Sequence, residues 1–131
     1  MAPRKKTRIE KPLTEVELQL MNIIWDLGDC TVKDVQQTLS AERALAYTSV
    51  ATIMKILEQK GFVESTKNDR VHTYQPLMTR DSYERSSLKH LAHNVFQGDS
   101  SSMVMRLLTD SRLSQEELLA IRKILNERLG T

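Results

Sequence analysis

Residues 47–74 read YTSVATIMKILEQKGFVESTKNDRVHTY, and this stretch decides the fold. Val50, Ile53, Met54 and Leu57 recur at i, i+3, i+4 and i+7, so the spacing predicts a helix from Tyr47 to Lys60 with one apolar stripe turned to a core. Thr48, Thr52, Lys55 and Gln59 recur at the same spacing on the opposite side. That outward face carries hydrogen-bonding groups and one cation but no carboxylate, where a merely solvated helix would usually mix both signs. Gly61 follows, free to take the left-handed conformation that ends a helix. Phe62 to Thr66 and Val71 to Gln75 are rich in β-formers and flank the turn-forming Lys67-Asn68-Asp69-Arg70, with Pro76 stopping the second strand. A helix with a polar outer face, a glycine stop and a charged hairpin point to duplex DNA.

Working towards the amino end, Thr14 is placed to cap a first helix and Glu17 to close a capping box. Val16, Leu20, Ile23, Ile24 and Leu27 form its expected core face, Met21 and Trp25 a second, boundary stripe, and Gly28 its end. A lone tryptophan on such a helix is far more often packed than part of a ligand pocket. Thr31 caps a second, short helix with Val32, Val35 and Leu39 on one side, and residues 41–46 link it to Tyr47. The expected fold is mainly α with a small β-hairpin wing, a winged helix-turn-helix over 13–78. From Thr79 the pattern is helical alone: about 80–97 with Leu88, Leu91, Ala92 and Val95 inward and Tyr83 and Phe96 at the margins, a short helix around Met103 to Leu108, and a last one opened by the capping box Ser114 to Glu117. Leu88, Leu91, Val95, Leu107, Leu118, Ile121 and Leu125 are more apolar surface than these helices can bury alone. Residues 79–131 are therefore read as a dimerisation element.

The chain has 131 residues, 40% of them hydrophobic, enough for one compact domain or a small domain with an association element. No apolar run approaches the ~20 residues that span a bilayer, and the basic start is not followed by the apolar stretch of a secretory signal; no direct membrane association and a cytoplasmic location are expected. The single cysteine, Cys30, excludes an internal disulfide framework and a cysteine-rich zinc site. The net charge of +2 is small but unevenly spread. Arg4, Lys5, Lys6, Arg8 and Lys11 oppose only Glu10 within 1–12, read as a basic flexible arm that either contacts DNA or serves as a solvated tail. Lys33 stands alone among the six acids of 13–42, whereas 43–75 is again net positive. Positive charge gathers where phosphate contact is proposed, as counterion release favours.

The expected DNA-binding residues are Tyr47, Thr48, Ser49, Thr52 and Lys55 on the third helix, with Lys67 and Arg70 at the wing tip. The hydroxyls serve base edges or phosphates, Lys55 a guanine or a phosphate, and the wing cations phosphate or the minor groove. His90 and His93 are spaced i, i+3 but lack a third ligand, and His72 reads as packed or solvated. No nucleophile with its base, no glycine-rich phosphate loop and no metal-ligand set stands out, so no enzymatic activity, cofactor or metal is expected. Two rival readings share the fold: a winged-helix protein-interaction module and a non-specific architectural DNA binder.

Leu13-Thr14-Glu15-x-Glu17 with Met21 and Trp25, Tyr47-Thr48-Ser49-Val50, Lys60-Gly61-Phe62, Tyr74-x-Pro76 and Leu113-Ser114-x-Glu116-Glu117-Leu118, in this order and spacing, resemble the penicillinase-repressor family, the BlaI/MecI/CopY group of bacterial transcription repressors. The likeness runs over about 13–129. It implies a homodimer whose winged helices bind an inverted-repeat operator in double-stranded DNA. It also implies a signalling protease as a further partner: β-lactam-responsive members are cleaved at an Asn-Phe bond in the short helix of the dimerisation element, and the matching position here is Arg106-Leu107. Copper-responsive members carry paired Cys-x-Cys motifs near the carboxyl end; this chain has no cysteine after Cys30, so the resemblance implies no copper sensing.

Overall fold

The computed structural model describes residues 12–131; all of the basic arm but Pro12 lies outside them. The order is α1 (Glu15–Leu27), α2 (Val32–Thr38), a 3-10 turn at Ala41–Arg43, α3 (Tyr47–Gln59), β1 (Val63–Asn68), β2 (Val71–Pro76), α4 (Arg80–Asn94), α5 (Ser100–Asp110) and α6 (Gln115–Leu129). Capping boxes open three helices. In α1, Thr14 and Glu17 exchange side-chain and backbone bonds; Thr31 and Asp34 do so in α2, and Ser114 and Glu117 in α6. Each pair satisfies two amides that a helix start would otherwise leave open.

The chain forms two compact units that divide within α4, one running to His90 and the other from Leu91. In the first, Leu20, Met21 and Ile24 of α1, Val35 of α2, Val50, Met54 and Leu57 of α3 and Val63 of β1 are fully buried in one cluster. The core stripe of α1 is rotated from the expected one. Met21, assigned to a boundary, is buried, while Leu27, assigned to the core, is 45% exposed at the helix end. The amino-terminal end of the stripe is occupied by Glu17, buried and bound by Lys60 Nζ at 3.0 and 2.9 Å. A carboxylate on the core side misled the hydrophobic pattern.

β1 and β2 pair antiparallel from Val63↔Pro76 to Asn68↔Val71. The turn is therefore two residues, Asp69 and Arg70, both with positive φ, and the expected four-residue turn is corrected: Lys67 and Asn68 are strand residues, Pro76 closes β2, and Phe62 precedes β1. A two-residue turn with left-handed backbone at both positions matches the twist of the strands it joins. Cys30 adds a third-strand bridge, its N–H donating to the Tyr74 carbonyl at 2.9 Å and its carbonyl accepting from Tyr74 N–H at 2.7 Å.

Tyr83, placed at a margin by the sequence, is buried in the first unit's core. Its hydroxyl accepts from Leu13 N–H at 3.1 Å, and its ring meets Trp25 at 5.7 Å and Phe62 at 5.9 Å. Trp25 Nε1 donates to the Met78 carbonyl at 2.8 Å, and the Arg80 guanidinium lies 5.3 Å from the indole centroid while binding Asp26. In the second unit α4 stops at Asn94, short of the expected 97, and Gln97 and Gly98 turn with positive φ. Asp99 then caps α5, which starts at Ser100 rather than Met103. Neither α5 nor α6 contains a buried residue.

Candidate nucleic-acid interface

The two faces of α3 separate as its periodicity requires. Val50, Met54 and Leu57 are buried, Ile53 is half-buried, and Thr48, Ser49, Thr52, Lys55 and Gln59 are exposed. Ala46 occupies the cap position of this helix and offers no side-chain acceptor. Tyr47, in the first turn, is 52% exposed.

An open groove of about 790 Å³ runs between this face, the start of α2 and the wing. Tyr47, Thr48, Thr52 and Lys55 line it from α3, and Arg70 from the hairpin turn. Ser49 and Lys67, expected with them, lie outside it: Ser49 is exposed on α3, and Lys67 stands in β1 opposite His72. Lys67 was displaced from the tip because the turn is shorter than its composition suggested.

The groove also contains residues the sequence did not single out. Lys33 enters it from α2 and His72 from β2, both exposed. The signal for Lys33 was its solitary positive charge in an acidic stretch, directly after a capped helix start. Alternation along β2 was the signal for His72, since buried Tyr74 lies two residues on. Tyr47, Ala51 and Val71 supply apolar lining. One carboxylate, Glu58, lies in the groove; it accepts from Ser65 Oγ at 2.6 Å. Tyr74 has its phenol pushed above the ordinary range by burial and then by Glu58 and Tyr47, so it stays protonated. Cys30, beneath the wing, is pushed up to about 11 by burial and by Asp34 and Asp29. A thiol so protonated is a packing element rather than a nucleophile.

Arg43 pairs with Glu15, Lys60 with Glu17 and Arg80 with Asp26. The first unit thus neutralises acids of α1 with cations away from the groove, while Lys33, Lys55 and Arg70 line it. This arrangement presents donors and positive charge on a helix that projects from its core, which is the requirement for entering a nucleic-acid groove.

The model of the penicillinase repressor family matches residues 13–127. The chain belongs to the penicillinase repressor family. Over 117 residues it is 31% identical to the transcriptional regulator BlaI of Mycobacterium tuberculosis, covering 88% of this chain and 83% of that one. Over 116 residues it is 24% identical to the methicillin resistance regulatory protein MecI of Mammaliicoccus sciuri, covering 88% and 94%. The solution structure of the DNA binding domain of the repressor BlaI matches with a TM-score of 0.50 at 24% identity, over 58% of this chain and 93% of that one. That likeness shows the winged-helix fold. As a family member the protein is a DNA-binding transcriptional repressor. Among the described residues no helix is long and apolar enough to cross a membrane.

Proposed function

We propose that this member of the family acts in the cytoplasm as a homodimer on an inverted-repeat operator, repressing transcription by occupancy and not by catalysis. The observation that carries this is the exposed Thr48–Thr52–Lys55 face of α3, opening on a groove whose opposite walls bear Lys33 and Arg70. α3 enters the major groove, wide enough for a helix. Thr48, Thr52 and Lys55 meet base edges; Tyr47 and Ser49, in an uncapped first turn, meet phosphate. Lys33, Lys67, Arg70 and His72 follow the flanking backbone.

The dimer reading rests on the second unit. Leu91, Val95, Leu107, Leu118 and Leu125 are exposed there, Ile121 is half-buried, and Leu88 just before the unit is exposed. A twofold-related copy would bury them. Release by a signalling protease at Arg106-Leu107 fits the same unit: the bond lies in α5, with Leu107 52% exposed. Cutting there would separate α6 from the DNA-binding unit.

Selection of bound duplexes from a random pool, followed by gel shift at low and high salt, tests the reading. A repressor should prefer its selected site over random duplex by ~10³ or more, where an architectural binder gives a ratio near one. A protein-interaction module would show no salt-dependent retardation. Lys55→Ala should weaken operator binding by about 1–3 kcal/mol with altered preference at one position if Lys55 reads a base, or lower the salt slope by about one if it holds phosphate. No change in either quantity removes Lys55 from the interface.

A further inference from the structure

Thr52 is central to the exposed face of α3, and its hydroxyl proton is already engaged. Oγ1 donates to the Thr48 carbonyl oxygen, one turn back, at 2.9 Å. Thr38 makes the same bond to Asp34 at 2.8 Å and Thr109 to Met105 at 2.9 Å, so the bond belongs to the rotamer that threonine adopts in a helix. A hydroxyl has one proton and two acceptor lone pairs. With the proton committed to the backbone, Thr52 offers the groove a lone pair and a methyl group.

In the major groove the N–H donors are the N6 amino group of adenine and the N4 amino group of cytosine; guanine shows two acceptors, and thymine an acceptor and a methyl. Lys55, three residues further on the same face, is the converse, with three donors and no acceptor. The acceptor of Thr52 can pair only with the amino groups of adenine and cytosine, whereas the donors of Lys55 can reach guanine N7 and O6, adenine N7 or thymine O4.

We propose, building on the reading that α3 enters an operator, that Thr52 is a specificity-determining residue acting solely as an acceptor. It selects adenine or cytosine at one position of each half-site and disfavours guanine and thymine there. Its methyl group is free to meet a neighbouring thymine methyl. Thr52→Val keeps the shape and removes the lone pair, whereas Thr52→Ser keeps the hydroxyl and the helical back-bond.

The test uses the full chain as wild type, Thr52→Val and Thr52→Ser, with duplexes selected from a random pool and then varied at each base pair. At one position per half-site the wild type should prefer adenine or cytosine by about two- to tenfold, as one hydrogen bond allows. Thr52→Val should lose that preference alone, and Thr52→Ser should retain it. Replacing the selected adenine by purine, or the cytosine by 2-pyrimidinone, removes the amino group; binding by the wild type should weaken by the same factor and binding by Thr52→Val should not change. If thermal melting shows Thr52→Val poorly folded, the base replacement with wild-type protein decides. An unchanged Thr52→Val profile, or wild-type binding unaffected by removal of the amino group at the affected base pair, overturns the acceptor role while leaving the repressor intact. Absence of any sequence preference in the wild type defeats the repressor reading and this proposal with it.

Discussion

Arg70 holds a left-handed backbone, φ 71°, at the tip of the wing. For a residue with a side chain beyond Cβ that conformation costs roughly 1–2 kcal/mol, against about 0.5–1 kcal/mol of extra chain entropy lost by a glycine. Arg70→Gly should therefore raise unfolding free energy by about 0.5–1 kcal/mol while lowering operator affinity and the salt slope by about one phosphate contact. Paired urea melts and salt titrations would check it; a variant neither more stable nor weaker in binding would contradict both roles. Glu17 is the second telling residue. Burial raises its pKa, but the Lys60 ammonium, the Thr14 amide and the Thr14 hydroxyl together bring it below the ordinary glutamate value. A depressed folded pKa means that the carboxylate's contribution is complete above the unfolded value, about 4.3, and is lost as pH falls through the lower folded one. Glu17→Gln should destabilise by about 1–3 kcal/mol near neutral pH, and the gap to wild type should narrow on acidification below about pH 4. A gap independent of pH would mean that charge at this site is irrelevant to folding.

At the scale of elements, the winged helix-turn-helix was legible because its signals agreed. Thr14, Thr31 and Ser114 each stand three residues before an acid and open a helix, and the stripe of α3 matched its burial. Glycines and strand-formers placed the hairpin. What escaped was set by contacts distant in sequence. Glu17 lies at the core because Lys60, forty-three residues away, reaches it. Tyr83 became core because Trp25 and Phe62 receive its ring. The Cys30–Tyr74 bridge and the entry of Lys33 and His72 into the groove depend likewise on tertiary placement that local spacing does not encode. Of the seven expected DNA-binding residues, five line one groove, because four of them share a helix whose phase was readable; Ser49 lies outside it on α3, and Lys67 falls in β1 rather than at the tip because the turn is two residues long. The exposed leucines of α6 carry the next prediction. Leu118→Glu with Leu125→Glu leaves the Ser114–Glu117 capping box intact and places charge where an apolar partner is proposed. Sedimentation equilibrium should show the mass of one chain for this variant and of two for the wild type; an unchanged dimer would move the interface elsewhere.

For the whole molecule, the proposed twofold axis constrains the DNA as much as the protein. Two recognition helices held by one dimer should meet half-sites about one helical turn apart, ~34 Å, or a multiple of it. Inserting about half a turn of spacer should abolish cooperative binding while each half-site still binds weakly. Equal affinity on the lengthened site would show that the two DNA-binding units are not held rigidly.

The chain has one tryptophan, and it sits where α1 meets the beginning of α4, with its indole N–H on the Met78 carbonyl, a guanidinium over its face and the Tyr83 ring tilted beside it. The protein thus contains its own optical gauge: loosening of that junction, by heat, by acid or by a cut further along the chain, should red-shift and alter indole emission without any attached dye. Fluorescence followed during operator titration would reveal whether occupancy of the wing is felt at the start of α4.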